Sequence, residues 1–442
     1  MSKTANRLNL IDTMITEAAQ KGLLHLTADS DALDGRIIHL DGRPLINFGV
    51  CSYLGLEMDP RLKQGTIDAV LRYGTQFASS RGYLSAPPYS ELELLLQRIV
   101  DAPVLITPTT TLGHLAAIPT LIGEEDAVLM DQQVHNSVQM AVEHIRAIGT
   151  SVEVLRHNDM QALDKRLSEL STRYQRVWYL ADGVYSMFGD VVPLEELRHL
   201  LHRYKNLHLY LDDAHGMSWT GPHGRGYVLS HLPERDRVVV ALSMAKGFAA
   251  GGGVLVFPNT EMLRRVRTCG GPMIFSGPVQ PPMLGAAIAS ARIHLSQEIT
   301  CMQQELLERI HLCNDLMQEK GLPLVSPAMT PIRFVATGWT RVAQNLMHRL
   351  MEVGFFPNIV GFPAVPLKQS GIRITITLHH SEDDIRSLVD ALAYHLPLAL
   401  QEEGSGLSDI AKFFSRSLHP LTTLTPNVLS RSMEHSPLMK GA

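Results

Sequence analysis

Two apolar runs, Leu207-His208-Leu209-Tyr210-Leu211 and Val238-Val239-Val240-Ala241-Leu242, each stop abruptly at polar residues. Runs of this length without polar alternation predict strands buried on both faces, as in a parallel sheet. One unit can be followed closely. Gln175–Ala181 reads as a strand, Asp182–Val192 as a polar, Gly-containing loop, and Pro193 as the opening of a helix. Leu194, Leu197, Leu200, Leu201 and Tyr204 recur at helical spacing, Asn206 ends the helix, and the strand Leu207–Leu211 follows. From about residue 46 to 285, strand-like and helix-like segments alternate in this way, which predicts a βαβ architecture. Beyond about residue 290 the texture changes. A long helical stretch, Ala291–Glu319, leads to a strand over 331–336, a helix over 341–353, a strand over 373–377 and an amphipathic helix over 382–395. The division predicted is an N-terminal segment (1–45), a large α/β domain (46–290), a small C-terminal α+β domain (291–402) and a tail (403–442). The tail is rich in Ser, Thr, Pro and Gly, and Phe413 and Phe414 are expected to pin one helical turn of it.

The composition is that of an ordinary globular chain: 442 residues, 45% apolar, 19% charged, net charge −5. No basic excess argues for nucleic acid or an anionic membrane. Cys51, Cys269, Cys301 and Cys313 are scattered, with no CxxC pairing, which predicts a reducing compartment and no metal site. The first residues lack an apolar core, so no signal peptide is read, and the expected location is the cytoplasm. Val238–Phe257 is nearly long enough to span a membrane. It carries Lys246 at its middle and three consecutive glycines, so two buried strands joined by a loop are expected instead.

The candidate chemistry sits where those runs end. Lys246 follows the second run in Ser243-Met244-Ala245-Lys246-Gly247. An amine poorly solvated at a strand end has a lowered pKa and can form a Schiff base with a carbonyl cofactor; such a lysine can equally contact a phosphate. The first run ends in Asp212-Asp213-Ala214-His215-Gly216. Ligands of open α/β sheets lie at the carboxyl ends of the strands, and a carboxylate there can hold a cofactor ring nitrogen protonated, as in pyridoxal phosphate enzymes. Two aspartates at a strand end can also cap the next turn. The acid and the amine together favour the cofactor.

In order along the chain, Ser52-Tyr53-Leu54-Gly55-Leu56, Asp182-Gly183-Val184-Tyr185-Ser186-Met187, Asp212–Gly216, the lysine loop and Gly371-Ile372-Arg373-Ile374-Thr375 resemble the α-oxoamine synthases over about residues 45–395. These are fold-type I pyridoxal phosphate enzymes. The resemblance implies a mostly parallel seven-stranded sheet, a small C-terminal domain and a homodimer. It implies condensation of an α-amino acid with an acyl thioester, usually with decarboxylation, to an α-amino ketone. Lys246 resembles the lysine that binds the cofactor and moves the substrate proton. Asp212 resembles the partner of the ring nitrogen, His215 and Ser186 the groups near the cofactor's hydroxyl edge, and His135 the imidazole stacked on the ring. Thr110 and Thr111, in Thr109–His114, align with the phosphate-binding helix start. Ser243 stands for the usual threonine near the phosphate, and Ser276 matches a segment that reaches a phosphate across the dimer interface. Arg373 resembles the arginine that clamps the substrate carboxylate, and Ser52, Tyr53 and Arg81 lie in motifs on the substrate side.

The departures also fall mainly on the substrate side. Ser52 stands where many members carry asparagine. Phe77–Arg81 has fewer glycines than usual, and Leu84–Tyr89 lacks a histidine found near the acyl pocket. Gly277 replaces a threonine after Ser276. Two other readings therefore stay open. One is a different pyridoxal phosphate reaction on the same scaffold: transamination, side-chain elimination or replacement, or condensation with a donor other than acyl-CoA. The other is a non-catalytic partner subunit.

Overall fold

The structure, a computed structural model, describes residues 3–415. The chain forms two compact units. One comprises Leu54–Ser186 and Val191–Gln304; the other comprises the residues up to Tyr53, Met187–Asp190 and those from Glu305 on, and the division passes through the helix Glu298–Glu319.

The larger unit is built on a seven-stranded sheet. Its spatial order is Val104–Thr107, Gly253–Val256, Val238–Ser243, Leu207–Asp212, Arg176–Asp182, Asp126–Asp131 and Ser151–Leu155. Neighbours from Val238–Ser243 to Ser151–Leu155 pair in parallel, while Gly253–Val256 runs antiparallel to both of its neighbours. The unbroken apolar runs have a direct cause. Successive strand residues point to opposite faces, and here both faces are covered. Val177, Tyr179, Val238 and Val240 join one core with Leu163, Leu197 and Leu284 from helices. Trp178, Leu180, Val239 and Ala241 join another with Ala117, Val138 and Val142.

The followed βαβ unit appears as strand Arg176–Asp182, helix Leu194–Arg203 and strand Leu207–Asp212. The stretch Ala291–Glu319 is not one helix: Pro281–His294 ends and Glu298–Glu319 begins anew. Ser296 marks the break, its hydroxyl accepting from the Glu298 amide at 3.2 Å. The helices Pro60–Tyr73 and Pro281–His294 approach so closely that a Cβ on Gly285 would lie 2.1 Å from the Gly65 carbonyl oxygen.

In the other unit, Ile332–Gly338, Ser370–Thr375 and Asn358–Val360 form an antiparallel sheet, with Ser370–Thr375 central. The hairpin Ile37–Leu40/Arg43–Asn47 turns through Asp41 and Gly42, both at positive φ (52° and 72°), as a two-residue turn requires. The last long helix runs from Glu382 to Glu402, past the predicted end at 395 and through Pro397. Burial of Leu396, Ala399 and Leu400 offsets the lost amide there. Leu407–Phe413 adds a short helix, with Phe414 buried beside Phe188 and Phe334. The predicted tail beyond residue 415 lies outside the described residues.

Candidate active site

The carboxyl ends of the strands meet at one edge of the seven-stranded sheet. Asp182 is level with Asp212, and Ser243 and Thr107 both pair with Gly253. A cavity of about 310 Å³ opens there, lined by Thr109–Thr111, His135, Asp182, Asp212, His215, Ser243 and Lys246 among others. It lies where the switch-point rule places a ligand.

Each wall has a local cause. Thr109 is the N-cap of the helix Thr110–Leu121, its hydroxyl accepting from the Leu112 amide at 3.1 Å. The Thr110 hydroxyl donates to the Leu242 carbonyl at 3.2 Å. Two of the three threonine hydroxyls are thus engaged, and the Thr111 hydroxyl and the Thr110 and Thr111 amides remain for an anion. Gly253 lets the backbones close up there, since a Cβ would lie 2.6 Å from the Thr110 nitrogen. The lysine loop is closed by Met244 N to Gly252 O (3.0 Å) and Ala250 N to Met244 O (2.7 Å), which presents a half-buried Lys246 to the cavity. The Ser243 hydroxyl accepts from the Ala245 amide at 3.3 Å.

His135 caps the helix Asn136–Ala147, its Nδ1 lying 2.6 Å from the Ser137 hydroxyl. Its backbone amide donates to Asp182 Oδ1 at 3.0 Å, fixing the turn that aims the ring. Desolvation, only partly opposed by Asp212, lowers its pKa, so the ring is neutral at pH 7. The adjacent aspartates Asp212 and Asp213 divide. Asp212 faces the cavity, whereas Asp213 is fully buried and takes the Val228 amide at 2.9 Å, holding the turn. Burial pushes Asp212 up, but His114 and then Lys246 more than offset this and hold it at about 2. Burial, with the charge of Asp212, drives Asp182 well above the ordinary carboxylate range.

Other expected residues are placed elsewhere. Ser186 and Ser276 are not among the cavity's lining residues. Arg81 lies over the Tyr89 ring at 3.8 Å and pairs with Glu93 at 2.9 Å. Ser52, Tyr53 and Arg373 belong to the other unit. There Arg373 is buried in the central strand, donating to Thr375 Oγ1 at 3.2 Å and to Cys51 Sγ at 3.5 Å, and Tyr53 is fully buried at φ 43°. Two residues of the site escaped the reading of the sequence. Asp182 was quoted only as the start of a motif, although its place at a strand end is the signal that singled out Asp212. His114, which meets Asp212 at 3.0 Å, carries no local signal, because the two lie 98 positions apart.

Among the described residues no helix is long and apolar enough to cross a membrane, and no group of three or more His, Cys, Asp or Glu is placed to hold a metal ion. Two curated relatives are named 8-amino-7-oxononanoate synthase. That of Dechloromonas aromatica (strain RCB) is 32% identical over 86% of this chain and 98% of its own length. That of Symbiobacterium thermophilum is 31% identical over 80% of this chain and 89% of its own. Among solved structures, serine palmitoyltransferase of Sphingomonas wittichii superposes with a TM-score of 0.80 at 22% identity, covering 91% of this chain and 99% of that one. Residues 44–392 match aminotransferase class I and II, and the chain belongs to that family.

Proposed function

We propose that this protein condenses an α-amino acid with an acyl thioester, releasing carbon dioxide, the free thiol and an α-amino ketone. The observation that carries this is the pairing of Lys246 and an ionised Asp212 in one cavity beside a helix start, in a chain whose relatives are named 8-amino-7-oxononanoate synthase. The cavity's residues fit pyridoxal phosphate. The Thr111 hydroxyl, the Thr110 and Thr111 amides and Ser243 suit its phosphate, Asp212 its ring nitrogen, and Lys246 its aldehyde.

Bound there, the cofactor supplies a sink for the electron pair left at the amino acid's α-carbon. Asp212, anionic across the working pH range, holds the proton on the ring nitrogen. The Lys246 amine takes the α-proton and later returns one. His135 lines the cavity and, being neutral, would not repel the positive charge of a ring bound beside it. His215 is proposed to hold the cofactor's hydroxyl edge, with Ser186. Arg373 is proposed as the group for the substrate carboxylate, supported by its motif and its fork of donors.

We further propose a cytoplasmic homodimer. Tyr83 and Phe275 are 89% and 87% exposed, and the Ser80 hydroxyl ties their two segments by donating to the Ile274 carbonyl at 2.6 Å. An apolar patch of this kind suits a second copy, and Ser276 adjoins it. A Phe275→Glu variant is expected to run as a monomer in size-exclusion chromatography with light scattering. An unchanged dimer would refute this face.

The test of the reaction is product analysis by mass spectrometry with a panel of amino acids, with and without acyl-CoA. One amino acid plus acyl-CoA is expected to give carbon dioxide and an α-amino ketone. Borohydride treatment should fix the cofactor covalently to Lys246, located by peptide mapping, and Lys246→Ala should abolish both results. Conversion of amino acids that ignores every thioester would transfer the assignment to another pyridoxal phosphate reaction.

A further inference from the structure

Behind the cavity lies a polar side chain to which the reaction above gives no part. His114, one turn into the helix Thr110–Leu121, is fully buried. Its Nε2 is 3.0 Å from Asp212 Oδ2 and its Nδ1 is 2.8 Å from the Tyr210 hydroxyl oxygen. The other Asp212 oxygen, Oδ1, accepts from the Ala214 amide at 3.0 Å. The carboxylate is thus held at both oxygens.

The hydrogen bond to Asp212 fixes one of the ring protons. Asp212 is a carboxylate, so it can only accept, and His114 Nε2 must carry the hydrogen between them. Burial and then the charge of Asp212 keep the Tyr210 phenol protonated. Among the described residues His114 Nδ1 is the one hydrogen-bond partner of the Tyr210 hydroxyl. His114 therefore bridges the two groups: its Nε2 donates to Asp212, and its Nδ1 meets the Tyr210 hydroxyl. The relay runs between the strand Leu207–Asp212 and the helix that opens at the cavity, so one strand supplies both the phenol and the carboxylate.

We propose that His114, anchored by Tyr210, is the positioning residue that aims Asp212 at the ring nitrogen of pyridoxal phosphate. The inference rests on the cofactor reading above. Without His114, Asp212 keeps only the Ala214 amide. The carboxylate then turns, and it becomes protonated at a higher pH, where it no longer holds the ring's proton. A charge-assisted hydrogen bond lost in a buried site corresponds to about a ten- to hundredfold loss of affinity.

The experiment is titration of the cofactor-free protein with pyridoxal phosphate, followed by absorbance and fluorescence from pH 5 to 9. The proteins compared are the wild type, His114→Leu, His114→Gln and Tyr210→Phe. Circular dichroism of the cofactor-free proteins checks folding. His114→Leu is expected to bind about ten- to a hundredfold more weakly, with the acid limb of its binding profile moved toward neutral pH. His114→Gln keeps an N–H donor and is expected to recover most of the affinity and the wild-type profile. Tyr210→Phe frees the imidazole and should show the same shift in smaller measure; it also decides the matter if His114→Leu does not fold. In parallel, nitrogen-15 histidine spectra of the cofactor-free wild type should show a hydrogen-bonded Nε2–H that His114→Gln removes. Affinity and pH profile unchanged in His114→Leu would overturn the proposal, as would equal losses in the Leu and Gln variants, which mark mere packing. A wild type that binds no cofactor at any pH would instead overturn the reading beneath it.

Discussion

Three carboxylates at two neighbouring strand ends behave differently because each faces something different. Asp212 meets His114 and stays ionised down to about pH 2. Asp182, buried beside that anion, is driven well upward, and so is Asp213. An acid that is protonated in the folded protein is mimicked by its amide. Asp182→Asn keeps the oxygen that accepts from the His135 amide, so turnover is expected to stay within about threefold of wild type. Asp212→Asn removes the charge and should lower turnover by about two orders of magnitude or more, since buried charge is worth most where charge develops. Equal losses in the two variants would show that Asp182 is ionised after all. For Arg373→Lys, loss of the bidentate fork should raise the amino-acid KM by about tenfold or more with a smaller change in kcat; steady-state kinetics on the substrate identified by the product screen would measure this. The pattern of the run could place Asp212 and Asp213 at a strand end, but only the motif's resemblance singled out Asp212, because successive strand residues point to opposite faces and the pattern does not say which face holds the cavity.

The helices Pro60–Tyr73 and Pro281–His294 make a close backbone contact in the larger unit, at Gly65 and Gly285. With the Gly285 Cβ position 2.1 Å from a backbone oxygen, Gly285→Ala has to push the helices apart. The expected cost is about 1–3 kcal/mol, seen as a lower urea midpoint; an unchanged midpoint would mean that the helices are loosely held. No periodicity announces such a contact, as a glycine in a helix reads only as a weak helix former. What the pattern did reveal was the doubly buried sheet, since period-less apolar runs between amphipathic helices arise only when both faces are covered. Helix ends were less legible. Ser296 breaks a stretch whose apolar spacing runs on, and Pro397 fails to stop a helix because tertiary burial of Leu396, Ala399 and Leu400 outweighs one lost hydrogen bond. The Asp41-Gly42 turn was readable between its two short strands but was passed over.

Taken as a whole, the molecule carries a buried neutral histidine in each compact unit, and both weaken the fold as the pH falls. In the smaller unit His380 stacks on Phe48 with ring centroids 3.9 Å apart. Its Nδ1 accepts from the Thr377 amide at 3.1 Å and its Nε2 faces the Asn47 carbonyl at 3.0 Å. A second ring proton would point at an N–H group, so the cation is disfavoured. In the larger unit, His294 is fully buried with Nδ1 2.8 Å from the Ser290 carbonyl. Burial lowers each to about 4 from an ordinary 6.5. Between those values the unfolded chain binds protons that the folded one refuses, so stability is fully present above pH 6.5 and falls as the pH drops toward 4. The carboxylate of Asp212 acts lower down: its contribution is present above about pH 4 and is lost as the pH falls through about 2. Two such histidines are worth on the order of several kcal/mol over the upper window. Urea unfolding at pH 7.5, 6.5, 5.5 and 4.5 should therefore show a midpoint that is level to about 6.5 and then declines. His380→Gln, which cannot take up a proton, should make that decline shallower even though it lowers the midpoint at neutral pH. A decline of the same steepness in the variant would assign the acid response to other groups.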